Sequence, residues 1–510
     1  MNGKLHSETG AFSSDDMRAE ILNPFVHKLE LDNTYDKIKT AVFTVILLPF
    51  RVIVICYLIV TAWMLACIGL YGLSEEDLRR APMTGWRSKL RFSILSLMRL
   101  VVVAAGFHRV KVLGRHHMPS KSRDAPVVVM APHSSFFDAI AIVCLGAPSV
   151  VAKADTARLP FIGQLINYTQ PVYVWRDDPN SRQNTIKEII ERATSKEDWP
   201  QVLIFPEGTC TNRSCLITFK PGAFYPGVPV QPVTIRYPNA RDTVTWTWEG
   251  PSALKLLWLT LTQVHSSCEI EFFPVYYPSE EEKRDPKLYA RNVRDVMAKA
   301  LGVPVLDYTY DDCRLIARAK QLGIPGATLT REINDIRSQL GLERSQLELH
   351  LAAGSLCGGA GGGAGGGGRA RWVSADEFAQ RLGVPRGALT QRLFDIFVQR
   401  SSGLVYFPDY LLCAAFLSLQ HLPLTQLLSY AFKLYSAAGR AGRLGAAQFE
   451  ELATRCLGLC QEDAHNTFRQ ADLDEKGYIT YDEFISYAQK KPEFSFVFVC
   501  DPTAPKPKTQ

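Results

Sequence analysis

The most informative residues in the chain are a histidine and an aspartate five positions apart. The segment Ala-Pro-His-Ser-Ser-Phe-Phe-Asp places His133 and Asp138 directly after an apolar run, residues 127–130, whose composition predicts a buried strand. An imidazole can take the proton from an attacking hydroxyl group because its ordinary pKa lies near neutral pH. A carboxylate on the second ring nitrogen fixes the tautomer and stabilises the imidazolium. The pair predicts base catalysis in which a substrate hydroxyl attacks directly.

The same spacing occurs a second time, at His27 and Asp32, ahead of the first long apolar segment. No predicted strand precedes this copy and no partner motif follows it. In a chain with 10 histidines the spacing alone is weak evidence, so we interpret the second copy as a coincidence.

A second motif follows another predicted strand, residues 202–205. Residues 205–213 are Phe-Pro-Glu-Gly-Thr-Cys-Thr-Asn-Arg. A glycine at the end of a strand allows the backbone to approach a ligand closely. Arginine can form paired hydrogen bonds with a phosphate group. The motif therefore predicts a phosphate-binding loop beside the histidine.

Together the two motifs resemble those of the glycerophospholipid acyltransferases, whose signatures are H-x-x-x-x-D and F-P-E-G-T. The Cys-Thr-Asn variant is similar to the branch of lysophosphatidylcholine acyltransferases and lyso-platelet-activating-factor (lyso-PAF) acetyltransferases. That branch has a membrane segment ahead of the motifs and EF-hands behind them. The likeness runs from about residue 23 to the C-terminus and includes the block 161–176 and the segment 228–233.

The resemblance implies transfer of an acyl or acetyl group from acyl-CoA or acetyl-CoA to the free hydroxyl of a lysophospholipid, either lysophosphatidylcholine or lyso-PAF. It implies that His133 is the base and Asp138 its orienting partner, with no catalytic metal. The residues implied to bind the glycerophosphate part of the acceptor are Arg176, Glu207, Gly208, Thr209 and Arg213. Lys153 and Lys220 are further candidates for phosphate groups of the acceptor or of coenzyme A.

Two other functions remain open. A non-catalytic, membrane-anchored EF-hand relative could keep the fold for binding partners, but the retention of both motifs argues against it. Acylation of lysophosphatidic acid is the other alternative, and the Cys-Thr-Asn variant at residues 210–212 makes it less favoured.

Residues 472–483 align with the calcium loop of an EF-hand. The predicted ligands are Asp472, Asp474, Tyr478 and Glu483. Lys476 stands where an oxygen ligand belongs, so we expect weak calcium binding, with the ammonium free to swing outward. Residues 398–409 and 436–449 resemble loops that have lost their ligands.

A long apolar segment, residues 41–73, is interrupted only by Arg51. Residues 52–73 give twenty-two uncharged positions, enough to cross a hydrocarbon core of about 30 Å. A second apolar stretch, residues 92–107, predicts an interfacial or re-entrant helix. We expect a single-pass protein, most simply of the endoplasmic reticulum, whose orientation is not readable from its balanced basic flanks.

The chain is thus expected to hold an α/β acyltransferase domain, preceded by a transmembrane helix and followed by an all-α EF-hand module. The expected parts are a polar region (1–40), a membrane-associated region (41–106), the acyltransferase domain (107–305), a connecting segment with a glycine-rich linker (306–371), the EF-hand module (372–491) and a tail (492–510).

The charge and cysteine content of the chain limit the kinds of partner and metal site that can be expected. The net charge of +6 suits an anionic membrane surface or a phosphate-bearing substrate and is not a nucleic-acid signature. The expected partners are therefore the lipid bilayer, a lysophospholipid and acyl-CoA. The 12 cysteines contain no C-x-x-C spacing, so structural zinc is not expected.

Overall fold

The structure is a computed structural model that describes residues 23–31, 33–175, 180–321, 323–342, 372–399, 401–418, 424–436, 442–456 and 459–491. Two compact units are present, one over Leu22–Tyr310 and the other over Asp311–Gln510. The predicted polar N-terminus (1–22), the glycine-rich linker and the tail after residue 491 lie outside the described residues.

The first unit is built on a seven-stranded mixed sheet with the order β1-β7-β6-β2-β5-β3-β4. Strands β6, β2, β5, β3 and β4 are parallel, whereas β7 is antiparallel to β6 and parallel to β1. The predicted α/β architecture is confirmed. The strands are β1 (Arg109–Leu113), β2 (Val127–Ala131), β3 (Ser149–Lys153), β4 (Val172–Val174), β5 (Val202–Ile204), β6 (Val230–Arg236) and β7 (Ser267–Phe272).

Helices cover both faces of this sheet. They are α1 (Thr34–Leu70), α2 (Glu75–Arg80), α3 (Gly85–Ala104), α4 (Ala139–Cys144), α5 (Ile162–Asn167), α6 (Ser181–Ala193), α7 (Ala253–Leu261), α8 (Glu280–Arg284) and α9 (Pro286–Leu301). On one face, Ile189 of α6 and Val293 of α9 pack against Val127 and Val129 of β2. On the other face, Ile140 of α4 packs with Val128 and Met130 of β2. Because β2 is buried on both sides, its carboxyl end is held rigidly.

The apolar N-terminal segment forms α1, a helix of 37 residues that begins well before the predicted span. Among the described residues it is the one helix long and apolar enough to cross a membrane. Arg51, which interrupts the apolar run, is buried and donates hydrogen bonds to the carbonyls of Leu261, Gln263 and Val264 at 2.6–3.0 Å. The first unit therefore binds this charge through backbone acceptors.

The second unit consists mainly of helices around an aromatic core that contains Phe378, Phe407, Phe432, Phe449 and Phe484. Its helices are α10 (Tyr310–Gln321), α11 (Thr330–Gln339), α12 (Ala375–Leu382), α13 (Ala388–Phe397), α14 (Phe407–Ser418), α15 (Leu424–Tyr435), α16 (Ala446–Cys456), α17 (Gln461–Ala471) and α18 (Tyr481–Ala488). Short strands join them: β8 (Trp372–Val373), β9 (Val398–Gln399), β10 (Leu404–Tyr406), β11 (Arg443–Gly445) and β12 (Tyr478–Thr480). Strand β10 pairs with β8 and β9, and β11 pairs with β12, in each case antiparallel.

Candidate active site

The predicted histidine–aspartate pair lies just beyond the carboxyl end of β2. Nδ1 of His133 donates a hydrogen bond to Oδ2 of Asp138 at 2.8 Å. The same carboxylate oxygen accepts the backbone N–H groups of Ser134 at 2.8 Å and Ser135 at 3.1 Å. These bonds turn the chain back on itself. The His133 ring stacks on Phe205 at 4.2 Å and keeps 24% of its side chain exposed.

The electrostatic surroundings favour the protonated form of this histidine. Burial lowers the pKa of His133, but interactions with the side chains of Cys210 and Asp138 more than offset that effect. The pKa of His133 therefore stands well above its ordinary value. An imidazole accepts a proton only when it is neutral, so base catalysis by His133 would depend on pH.

The second motif is fastened to the first through Glu207. Its Oε2 accepts the backbone N–H of His133 at 2.6 Å, and its Oε1 accepts that of Ile217 at 3.3 Å. Thr211 N–H donates in return to the His133 carbonyl at 2.7 Å. Burial raises the pKa of Glu207 to about 7. Glu207 thus holds the backbone beneath the histidine, a task that the motif spacing alone did not reveal.

Gly208 adopts a left-handed backbone conformation, with φ +66°, at the tip of this loop. A Cβ added there would lie 2.9 Å from Cε of Lys220, whose side chain runs across the glycine. Only glycine combines this conformation with so close an approach. The loop therefore brings Lys220 to the site. Thr209, the next residue, is partly exposed, and Lys153 is exposed at the end of β3.

Arg213 is engaged by a carboxylate that the sequence motifs did not indicate. Its Nη2 donates to Oδ2 of Asp242 at 2.6 Å, and its Nη1 lies 3.3 Å from the Ser134 hydroxyl. Burial raises the pKa of Asp242, but Arg213 and Thr245 outweigh it, so the net pKa is lowered and the carboxylate stays ionised. Asp242 therefore compensates most of the charge that Arg213 brings to the site.

A tyrosine contacts the second carboxylate oxygen of Asp138. Tyr237 follows β6 directly, and its hydroxyl donates to Oδ1 of Asp138 at 2.7 Å. The Arg213 guanidinium lies 5.5 Å from the centre of the tyrosine ring. Because β6 is parallel to β2 and β5, its carboxyl end reaches the same edge of the sheet as both motifs. That rule is the signal by which sequence reasoning could have found Tyr237.

Asp32, the aspartate of the second histidine–aspartate spacing, lies outside the described residues. Nε2 of His27 donates to the backbone carbonyl of Asp242 at 3.0 Å. His27 thus holds the backbone of Asp242, the residue that forms the ion pair with Arg213. Arg176, the remaining predicted acceptor-binding residue, also lies outside the described part of the chain.

In the predicted calcium loop, the side chain of Lys476 contacts the carboxylates that are predicted to bind the ion. Lys476 Nζ contacts the Glu483 carboxylate and lies 3.4 Å from Oδ2 of Asp474. The Asp472 carboxylate accepts the backbone N–H groups of Lys476 at 3.0 Å and Gly477 at 2.8 Å. The ammonium turns toward the carboxylates of the loop, which attract it. Within the described ranges, no group of three or more His, Cys, Asp or Glu side chains could hold a metal ion.

The comparisons with known proteins agree with this site. Residues 109–236, which contain both motifs, match the family model Acyltransferase. The chain is 44% identical over 485 residues to lysophosphatidylcholine acyltransferase of Drosophila melanogaster, covering 94% of this chain and 87% of that protein. It is 42% identical over 501 residues to lysophosphatidylcholine acyltransferase 1 of Homo sapiens, covering 95% and 90%. It is 40% identical over 482 residues to lysophosphatidylcholine acyltransferase 2 of Homo sapiens, covering 93% and 84%. At this identity over nearly the whole length, the chain belongs to the lysophosphatidylcholine acyltransferase family.

Proposed function

We propose that the protein transfers an acyl group from an acyl-CoA thioester to the free hydroxyl of a lysophospholipid, with lysophosphatidylcholine or lyso-PAF as the acceptor. The observation that carries the proposal is the 2.8 Å contact between His133 Nδ1 and Asp138, which orients the imidazole as a general base requires. The names of the relatives support the same acceptor class.

In this reaction Nε2 of His133 takes the proton of the acceptor hydroxyl while its oxygen attacks the thioester carbonyl carbon. Asp138 stabilises the imidazolium that forms. The tetrahedral intermediate then breaks its carbon–sulfur bond, and the coenzyme A thiolate receives the proton from His133. The products are the diacyl phospholipid, or its ether analogue, and free coenzyme A. We assign Glu207 to holding the His133 backbone, and Arg176, Gly208, Thr209 and Arg213 to the acceptor.

The pairing of Arg213 with Asp242 favours a zwitterionic acceptor. A phosphomonoester such as that of lysophosphatidic acid carries about two negative charges at neutral pH and would face the Asp242 carboxylate. A phosphodiester carries one, and its choline group brings a positive charge that the carboxylate attracts. Asp242 forms an ion pair with Arg213 at 2.6 Å and so offsets its positive charge. This ion pair therefore supports lysophosphatidylcholine over lysophosphatidic acid as the acceptor.

We further propose that the exposed apolar side chains of α1 lie in a membrane. Val45, Ile46, Phe50 and Ile53 are exposed by 68–76%, which water would not favour. The finer prediction is a single pass through the endoplasmic reticulum membrane. Contacts near both ends of the helix support an alternative, in which α1 lies along one side of the bilayer. Thr44 accepts a hydrogen bond from Trp258 at 2.8 Å, and a Cβ at Gly69 would lie 2.4 Å from the Tyr168 ring.

Protease protection of epitope tags at the two chain ends in intact microsomes separates these arrangements. A single pass leaves one tag protected and one cleaved, whereas a helix lying along one side leaves both tags on the same side. Retention in the pellet after alkaline carbonate washing tests the membrane proposal itself. Release of most of the protein into the supernatant would remove the membrane assignment.

For the second unit we propose a degenerate EF-hand module. The loop 472–483 leads through β12 into α18, and β12 pairs antiparallel with β11 of the loop 436–449. Such a short strand pair between two loops is what paired EF-hands require. The predicted ligands remain Asp472, Asp474, Tyr478 and Glu483, with weak calcium binding because the Lys476 ammonium already contacts two of them.

The test is acyl transfer by membranes that carry the full chain, with several lysophospholipids crossed with acetyl-CoA and palmitoyl-CoA. His133→Ala should lower product formation by about 10²–10⁴-fold, the usual contribution of general base catalysis. The matched control is His265→Ala, because His265 is exposed. Equal activity of the two variants, or no transfer to any lysophospholipid, would contradict the proposal and favour the non-catalytic alternative.

A further inference from the structure

Tyr237 is buried beside the catalytic pair, with 7% of its surface exposed. Its hydroxyl donates to Oδ1 of Asp138 at 2.7 Å, across 99 positions of the chain. The other carboxylate oxygen, Oδ2, is already occupied by His133 Nδ1 and by two backbone N–H groups. Among the described residues, Tyr237 is the donor that the structure provides for Oδ1. Both oxygens of Asp138 are thereby held in place.

The tyrosine stays protonated and therefore acts as a donor at every pH the enzyme meets. Burial, and then the neighbouring Asp138 charge, raise the pKa of Tyr237 well above its ordinary value. A neutral hydroxyl can stabilise the carboxylate without adding a charge of its own. The ring is held between Phe107, with centroids 6.3 Å apart, and the guanidinium of Arg213. The hydroxyl is thus fixed in direction as well as in protonation state.

We propose that Tyr237 is a positioning residue that fixes the orientation and charge of the Asp138 carboxylate and, through it, the tautomer of His133. The proposal rests on the role of His133 as base in the proposed function. Without the hydroxyl, Oδ1 of Asp138 would lose its donor and the carboxylate would become more basic. It would then hold the His133 proton more tightly, so the histidine would become available as a base only at higher pH.

Tyr237→Phe tests this proposal because phenylalanine fills the same space and removes only the hydroxyl. We expect kcat to fall on the order of tenfold, as for the loss of a hydrogen bond to a charged group, with KM values for both substrates little changed. The acidic limb of the kcat profile should move to higher pH. In the Asp138→Asn background the same substitution should add almost nothing, because the two residues act through one contact.

Tyr276→Phe is the matched control. The Tyr276 hydroxyl donates to the Glu282 carboxylate at 2.6 Å, and Tyr276 pairs with Val230 at the opposite end of β6 from Tyr237. This variant loses a similar contact and should keep the activity and pH profile of the wild type. A wild-type pH profile in Tyr237→Phe, or effects that multiply with Asp138→Asn, would overturn the proposal. Full activity of His133→Ala would instead overturn the proposed function beneath it.

Discussion

Replacement of Asp138 by asparagine is the sharpest perturbation of the proposed mechanism. The carboxylate accepts four hydrogen bonds, three at Oδ2 and one at Oδ1. Asparagine offers one acceptor oxygen, so its amide nitrogen must face either the three donors or the Tyr237 hydroxyl. The oxygen will take the Oδ2 position, since that orientation suits the three donors and the Tyr237 hydroxyl can turn to accept a hydrogen bond from the amide nitrogen. Replacing a charged acceptor by a neutral one in this network costs about 1–3 kcal/mol of the free energy of unfolding, which a domain of this size can bear.

The catalytic loss should be much larger than the loss of stability. A neutral amide can accept the His133 Nδ1–H but cannot stabilise the imidazolium, so kcat should fall by about 10²–10⁴-fold. The pKa of His133 should also fall, because one of the groups that raise it is gone, and the acidic limb should move to lower pH. This shift is opposite in sign to the one expected for Tyr237→Phe.

The assay follows incorporation of labelled palmitate from palmitoyl-CoA into phosphatidylcholine by purified membranes, from pH 5.5 to 9.5. Asp285→Asn is the matched control, since Asp285 caps α9 by accepting the backbone N–H groups of Lys287 and Leu288, and asparagine caps a helix equally well. If Asp138→Asn is folded and keeps kcat within about threefold of the wild type, the assignment of His133 and Asp138 as a catalytic pair is refuted.

Three further outcomes are expected. In the wild type, kcat/KM should rise with pH through the raised pKa of His133, because only the neutral imidazole accepts a proton; a pH-independent rate between pH 6 and 9 would contradict this. Asp242→Asn should increase acylation of lysophosphatidic acid relative to lysophosphatidylcholine by about tenfold, which corresponds to about 1.4 kcal/mol, and parallel assays with both acceptors measure the ratio. Lys476→Asp should strengthen calcium binding by the full chain, because the substitution replaces the lysine cation with an oxygen ligand. Calorimetric titration measures this change, and submicromolar binding by the wild type would contradict the assigned role of Lys476.

Strands that are buried on both faces could be predicted from the sequence. The apolar runs of β2 and β5 were recognised within one residue, since a doubly covered parallel strand is apolar at every position. Strand β1 was missed because it lies at the sheet edge and alternates exposed basic residues with half-buried valines. Strand β3 was missed because it begins with a serine and ends with a lysine.

The contact between His133 and Asp138 could be predicted because the two residues are close in sequence and follow a recognisable strand. Tyr237 is indicated only by its place after the carboxyl end of β6. The contacts of Tyr237 and Asp242 have no local signal, because each residue meets its partner across a long stretch of chain, 99 positions for the first and 29 for the second. No local pattern records such contacts. The direction of long charged side chains was equally hidden, as the inward turn of Lys476 and the backbone contacts of Arg51 demonstrate.

Asn212, the last residue of the Cys-Thr-Asn segment in the second motif, has a structural role. Its side-chain nitrogen donates to the carbonyls of Asn23 and Val26, each at 3.0 Å, and its backbone N–H donates to that of Pro24 at 2.7 Å. The segment at residues 23–26 is thereby bound to the motif loop only a few residues before α1 begins at Thr34. Asn212 thus connects the motif loop to the segment that precedes α1, the helix proposed to lie in the membrane.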